Sequence, residues 1–280
     1  MVTNYTVQEK FSLKNKVCII TGGAGLLGQK HAEAILESDG IAVLLDINEG
    51  MIEKSVATLG KEYKRRVVGY KADITSKKEL EKVKDIILKR FNKVDVLINN
   101  AANNPKVENK KGQAGWTRVE DFPDSVWDND ISVGLTGAFY ASQIFGSVMA
   151  KQKKGVILNI SSDLGIIAPD QRIYRKPGLK GNEQPVKPVT YLVIKHGLVG
   201  LTKYLATYWA EKNIRVNAVC PGGVYNGQDR IFVQKLTNLI PMGRMAKIDE
   251  YKATVVYMIS DASSYMTGSV VIIDGGRTSW

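Results

Sequence analysis

Predominantly apolar runs recur along the chain near residues 16–20, 41–45, 66–70, 94–98, 155–160, 214–219 and 270–273. Runs of this kind mark strands of a sheet that is covered on both faces. Between them, apolar residues return at three- and four-residue spacing. Leu80, Val83, Ile86 and Ile87, for example, are set among Lys77, Lys78, Lys82, Lys84 and Lys89. That period gives a helix with one apolar and one solvated face. Strand and helix alternate from Lys16 to Asp274 without a linker, which predicts a single α/β domain over 1–280. The expected architecture is a doubly wound, seven-stranded parallel sheet with helices on both faces. Ligands of such sheets bind at the carboxyl ends of the strands.

The first predicted strand runs into Thr21-Gly22-Gly23-Ala24-Gly25-Leu26-Leu27-Gly28 and then into an amphipathic helix through Ala32, Ile35 and Leu36. Strand, glycine turn and helix form the phosphate-binding order of Rossmann-type folds. Glycines admit a pyrophosphate close to the backbone, and a helix N-terminus offers free N–H groups and the positive end of its dipole. Gly22, Gly25, Leu26, Leu27 and Gly28 are therefore candidates for cofactor binding. The second strand ends in Asp46, at the separation expected for a carboxylate that binds ribose hydroxyls. Neither the turn nor Ile47 and Asn48 supplies a cation for an extra phosphate, so NAD is expected, with NADP the less favoured cofactor. Taken singly, the same residues would serve as a tight connection and a turn aspartate.

Tyr191 and Lys195 fall one helical turn apart, on a helix that is otherwise apolar through Leu198, Leu201, Leu205 and Trp209. Positions i and i+4 are neighbours, so a phenol lies beside an ammonium. A buried Tyr with a snorkelling Lys has the same spacing. Bringing a phenol from ~10 to near neutrality needs ~4 kcal/mol. An ammonium and an oxidised nicotinamide, each ~5 Å away, contribute about 3 kcal/mol apiece at an effective dielectric near 20.

With these motifs in order, the chain resembles the short-chain dehydrogenase/reductase family, classical type, over nearly its whole length. Asp73-Ile74 is similar to the family's adenine-contacting pair, and Asn99-Asn100-Ala101-Ala102 to its motif after the fourth strand. Ser161-Ser162 resembles the end of its catalytic serine strand, Pro221-Gly222 its nicotinamide-side turn, and Asp274-Gly275-Gly276 its last strand. The resemblance implies Ser162, Tyr191 and Lys195 as catalytic residues. It adds Ile47, Asp73, Ile74, Asn100, Ala101, Ala102, Pro221, Gly222 and Val224 to the cofactor contacts, with Tyr191 and with Lys195 on the ribose hydroxyls, and implies a homodimer or homotetramer. Lys187-Pro188-Val189-Thr190-Tyr191 and Pro221-Gly222-Gly223-Val224-Tyr225-Asn226 are most similar to oxidoreductases of flagellin-modification and nonulosonic-sugar gene sets. That resemblance implies a sugar derivative as substrate.

Departures from the pattern carry weight too. Within the helix predicted over Val126 to Gly137, Gly134 stands where the family usually carries an Asn that supports a water-mediated proton relay to the Lys. The Gly22, Gly25, Gly28 spacing resembles the extended branch that acts on nucleotide sugars. An insertion at about 163–190 carries Arg172, Arg175, Lys176, Lys180 and Lys187, and the loop after Ala102 adds Lys106, Lys110, Lys111, Trp116 and Arg118. Cations at a pocket suit a phosphorylated or nucleotide-linked substrate, and a solvated basic loop has the same composition. A lid is expected at about 226–239.

Net charge is +11, from 39 Lys and Arg against 28 Asp and Glu. The cations are dispersed over helix faces and no nucleic-acid motif accompanies them, so no nucleic acid is expected as a partner. Residues 1–15 lack a signal peptide's apolar stretch and no run is long enough to span a bilayer, which makes the cytoplasm the expected location, without membrane association. Cys18 and Cys220 read as packing residues, and two histidines, His31 and His196, give no material for a metal centre. Three readings stand: an NAD-dependent sugar oxidoreductase, an epimerase or dehydratase that retains its NAD, and an NAD-binding partner protein without turnover.

Overall fold

The computed structural model describes residues 5–103 and 116–280. In chain order its elements are α1 Val7–Phe11, β1 Val17–Thr21, α2 Leu26–Glu37, β2 Ile41–Asp46, α3 Glu49–Tyr63, β3 Val67–Lys71, α4 Lys77–Phe91 and β4 Val96–Asn99. There follow α5 Asp124–Ile131, α6 Gly137–Gln152, β5 Gly155–Ile160, α7 Val189–Tyr208, β6 Ile214–Pro221, α8 Arg230–Thr237, α9 Lys252–Ile259 and β7 Val270–Ile273. The strands form one parallel sheet of seven in the order β3-β2-β1-β4-β5-β6-β7. Order reverses between β1 and β4, so the segments after those two strands diverge and leave a crevice at their carboxyl ends.

Strand periodicity builds two cores. Val17, Ile19, Val43, Leu45, Leu97 and Ile157 face α4, α6 and α7. Their neighbours Cys18, Ile20, Ala42, Leu44, Ile98 and Leu158 face α2 and α9. Each fully buried side chain of this size stabilises the fold by ~1.5–3 kcal/mol, which is why these short runs are apolar throughout. Among the described residues no helix is long and apolar enough to cross a membrane.

A buried polar chain fixes α7 on the sheet. Asn99 Nδ2 donates to Ser142 Oγ (2.9 Å) and Asn159 Oδ1 (2.8 Å), Asn159 Nδ2 to Thr202 Oγ1 (2.8 Å), and Thr202 Oγ1 to the Leu198 carbonyl (2.7 Å). In a dry interior a broken link leaves an unsatisfied group at a cost of about 1–3 kcal/mol, so the angular setting of α7 is tightly held.

The helix predicted over Val126 to Gly137 is not regular. Between α5 and α6 the backbone opens into a π turn at Ser132–Thr136, a feature that accommodates one extra residue in the ladder. Glycine at 134 and 137 lets this stretch lie against Ile194 and Ile74, whose side chains would meet added Cβ atoms at 2.7 Å.

Candidate active site

The glycine turn leaves β1 with Gly22 at φ +61, and a Cβ there would lie 2.8 Å from Ala101 Cα. Only glycine combines that backbone with that approach. Asn100 locks the turn from β4, its Nδ2 donating to the carbonyls of Thr21 and Gly22 at 3.0 Å each. The start of α2 differs from its neighbours. Asn48 and Ser76 cap α3 and α4 with side-chain oxygens, whereas Gly25 offers α2 no side-chain cap. The first N–H groups of a helix have no partner within the helix. An anion at this crevice would meet them, so the residues fit the phosphates of a dinucleotide.

Asp46 stands at the rim beside exposed Ile47, and its carboxylate accepts from the backbone of Ala24 (3.2 Å) and Asn48 (3.1 Å). Asp73 caps its own turn through Thr75, and Ile74 is a core residue under α6. Across the crevice, Pro221 ends β6, Gly222 N donates to the Ile273 carbonyl (2.8 Å), and Val224 bridges to Ala246. Gly22, Gly25, Leu26, Leu27, Gly28, Asn100, Ala101, Ala102 and Gly222 thus follow strand ends on one edge.

Ser162, Tyr191 and Lys195 converge at the same edge. Ser162 follows β5, close enough to the Tyr191 phenol to act on it, while its hydroxyl donates to Asp163 Oδ1 at 2.7 Å. Lys195 places its Nζ 5.6 Å from the centroid of the Tyr191 ring and donates to the Ile160 carbonyl at 2.8 Å. Burial pushes this ammonium down to about 8, Cys220 acts against that, and the charge of Lys187 adds to it. The phenol does not sit low by itself. Burial holds Tyr191 above its ordinary value, the Ser162 hydrogen bond pulls the other way, and Asp163 raises it further. Burial is the largest influence on this phenol, and it acts upward.

The basic insertion resolves into unlike parts. Arg172, Arg175, Lys176 and Lys180 are exposed, and Arg172 pairs with Asp170 at 2.7 Å. Lys187 instead lies 3.8 Å over the Tyr191 ring, on a site where burial pushes its ammonium down to about 8 against the field of Asp163. Lys106, Lys110 and Lys111 lie outside the described residues, and Arg118 donates to the Gly181 carbonyl at 3.2 Å. The expected lid region contains α8, which packs on the insertion. Ile173, Leu236, Ile240 and Met245 form a small core of their own, and the Tyr174 and Phe232 rings meet at 5.6 Å.

Two features escape the sequence motifs. Asp163 and Arg277 form a buried ion pair of 2.6 Å beside Ser162. Ile194 fills the space above Gly134. His196 is exposed and hydrogen-bonds only the Leu192 carbonyl of its own helix, and both cysteines are buried and unpaired.

The chain is similar to known proteins over most of its length. A family profile described as short chain dehydrogenase matches residues 16–174, and one described as Enoyl-(Acyl carrier protein) reductase matches 179–278. An NAD-dependent glycerol dehydrogenase of Listeria innocua serovar 6a is 33% identical, with 96% of each chain covered. Post-translational flagellin modification protein A of Campylobacter coli is 29% identical over 94% of this chain and 98% of its own. The NADPH-dependent 3-quinuclidinone reductase of Rhodotorula rubra superposes with a TM-score of 0.83 at 27% identity, covering 100% of this chain and 97% of the other. From fold, edge and family profile together, the chain belongs to the short-chain dehydrogenase family of oxidoreductases.

Proposed function

We propose that the protein is a nicotinamide-dependent oxidoreductase that interconverts a hydroxyl and a carbonyl on a sugar-type or polyol substrate, with Tyr191 as the proton donor and acceptor. The observation that carries this reading is the cluster of Ser162, Tyr191 and Lys195 on the same sheet edge as the uncapped start of α2. A bound nicotinamide dinucleotide supplies the hydride chemistry. Backbone N–H groups at the start of α2, at Leu26, Leu27 and Gly28, would hold its pyrophosphate, with Gly22 and Gly25 shaping the turn that admits it. Asp46 and Ile47 border the ribose, Asp73 and Ile74 the adenine, and Asn100, Ala101, Ala102, Pro221, Gly222 and Val224 the remaining length. The carboxylate of Asp46 accepts from ribose hydroxyls and repels an added phosphate, which favours NAD.

Ser162 holds the substrate oxygen by a hydrogen bond, and Tyr191 passes a proton to or from that oxygen. Lys195 keeps positive charge beside the phenol. The similarity to a glycerol dehydrogenase and to a flagellin modification protein supports a small polyhydroxylated substrate. Lys187, at the Tyr191 ring, supports the narrower reading of a phosphorylated or nucleotide-linked sugar. The test is nicotinamide absorbance with NAD, NADH, NADP or NADPH against polyols, free sugars, sugar phosphates and nucleotide sugars, for the parent and Tyr191→Phe. Turnover with NAD should fall by about 10²–10⁴-fold in the variant. Undiminished turnover without the phenol refutes the assignment, and NAD binding without an absorbance change for any substrate removes net redox turnover.

A further inference from the structure

Ser162 has a neighbour that the reaction itself does not require. Asp163 is 3% exposed, and each of its oxygens is taken. Oδ1 accepts from Ser162 Oγ at 2.7 Å and from the Leu164 N–H at 2.8 Å, while Oδ2 accepts from Arg277 Nη1 at 2.6 Å. Leu164 N also donates to Ser162 Oγ at 3.2 Å. The serine hydroxyl is thereby held between the carboxylate and the Leu164 N–H, which fixes where its oxygen stands. Arg277 comes from the far end of the chain, 114 residues on. Its approach is built by a turn in which Gly275 and Gly276 take φ +68 and +89, and Asp274 accepts from Gly276 N (2.9 Å) and Thr278 N (2.7 Å).

Removing two full charges from water is costly, and an apolar pair of equal volume would hold a sheet edge as well. The ion pair therefore calls for a role in the site. The groups in reach of its charges are Lys187 from the insertion, Tyr191 from α7, Tyr174, Tyr251 beyond α8, and Cys220 of β6. In such a dry enclosure a bare carboxylate would act strongly on the phenol. We propose that Asp163 and Arg277 are positioning residues: Asp163 fixes the Ser162 side chain in its place beside Tyr191, and Arg277, delivered by the C-terminal turn, neutralises the carboxylate that does so. This inference rests on the reading of Ser162 and Tyr191 as the reacting pair.

The experiment is carbon NMR of ring-labelled tyrosine, with Tyr191→Phe assigning the resonance, on the parent and on Asp163→Asn, Arg277→Gln, Arg277→Lys and the double variant Asp163→Asn/Arg277→Gln. Removing the carboxylate's charge should lower the Tyr191 midpoint by about one pH unit, and removing the guanidinium should raise it by a similar amount. Arg277→Lys should return it towards the parent. The double variant, which carries a neutral pair and so stays folded where a single variant does not, should fall close to the parent midpoint. Its kcat should nevertheless drop, because an amide orients the serine less strongly than a carboxylate. Coincident midpoints in the folded single variants, or a double variant with parental kcat, overturn the positioning role. Full turnover by Tyr191→Phe would instead remove the underlying assignment of the site, whatever the midpoints do, so the two failures are told apart.

Discussion

Gly134 and Ile194 provide a sharp test of how the site is packed. A Cβ at Gly134 would lie 2.7 Å from Ile194 Cγ2, 2.9 Å from Cδ1 and 3.3 Å from Cγ1. Ordinary carbon contacts are ~3.5–4.0 Å, so the overlap is close to a full ångström. Ile194 has little room to retreat. It is 3% exposed, packed among Ala138, Leu198, Ile131, Leu135 and Leu201, and a β-branched side chain in a helix has essentially one χ1 setting. An overlap this large against a side chain this constrained puts the overpacking of Gly134→Ala at the upper end of ~1–3 kcal/mol, which about 1 kcal/mol of helix propensity reduces to a net loss of ~1–2 kcal/mol. Ile194→Ala should cost ~2–5 kcal/mol as a cavity. In that background the clash is gone and the propensity gain is left, so Gly134→Ala changes sign and stabilises by about 1 kcal/mol. Ile194→Val removes Cδ1 but keeps Cγ2, and should rescue only part of the loss. Urea unfolding of the four corners of the cycle measures this. Additivity within ~0.5 kcal/mol, or a harmless Gly134→Ala in the parent, would refute the argument.

Three other outcomes can be checked. His31 is 2% exposed, its ring nitrogens have no hydrogen-bond partner, and burial pushes its imidazole from 6.5 down to about 4. The unfolded chain therefore binds this proton first, so stability is intact above pH 6.5 and is lost as pH falls towards 4, by about 2 kcal/mol at pH 5. His31→Leu should not show that loss, and parallel pH-stability curves for the two proteins would contradict it. Asp46→Asn keeps an acceptor for the Ala24 N–H but drops the charge; NADP affinity relative to NAD, by calorimetry, should rise roughly ten-fold, and an unchanged ratio would count against Asp46 as the selecting group. Tyr204 and Tyr208 are each 63% exposed and stacked at 5.8 Å on α7, and Ile272 on β7 is exposed; if the expected homodimer or homotetramer covers them, light scattering should report it, and a monomer at micromolar concentration would rule this out.

Local signals carried the sheet. The strand runs, the glycine turn and the Tyr191/Lys195 spacing each depend on residues a few positions apart, and the structure has them within a residue or two of the expected places. What was hidden depends on distance. Gly134 is conspicuous in the sequence, yet its complement Ile194 sits on another helix, so the packing that answers the missing amide has no local trace. Asp163 and Arg277 read as one more loop acid and one more tail cation until the fold closes them. The cations of the insertion look alike in sequence, and only tertiary packing separates Lys187 from the solvated Arg172 and Lys176. The irregular turn at Ser132–Thr136 reflects close approach of helices, which periodicity does not register.

The small core of Ile173, Leu236, Ile240 and Met245 has a consequence for how such a protein can diversify. It gathers the insertion and α8 into a unit whose apolar support is distinct from the two layers that flank the sheet. Exchanges within it reshape the surface on which Tyr174 and Phe232 pack while drawing on local packing alone. New substrate preferences are thereby accessible by single steps that leave the hydride-transfer edge intact, whereas the chain from Asn99 to Thr202 changes only in concert.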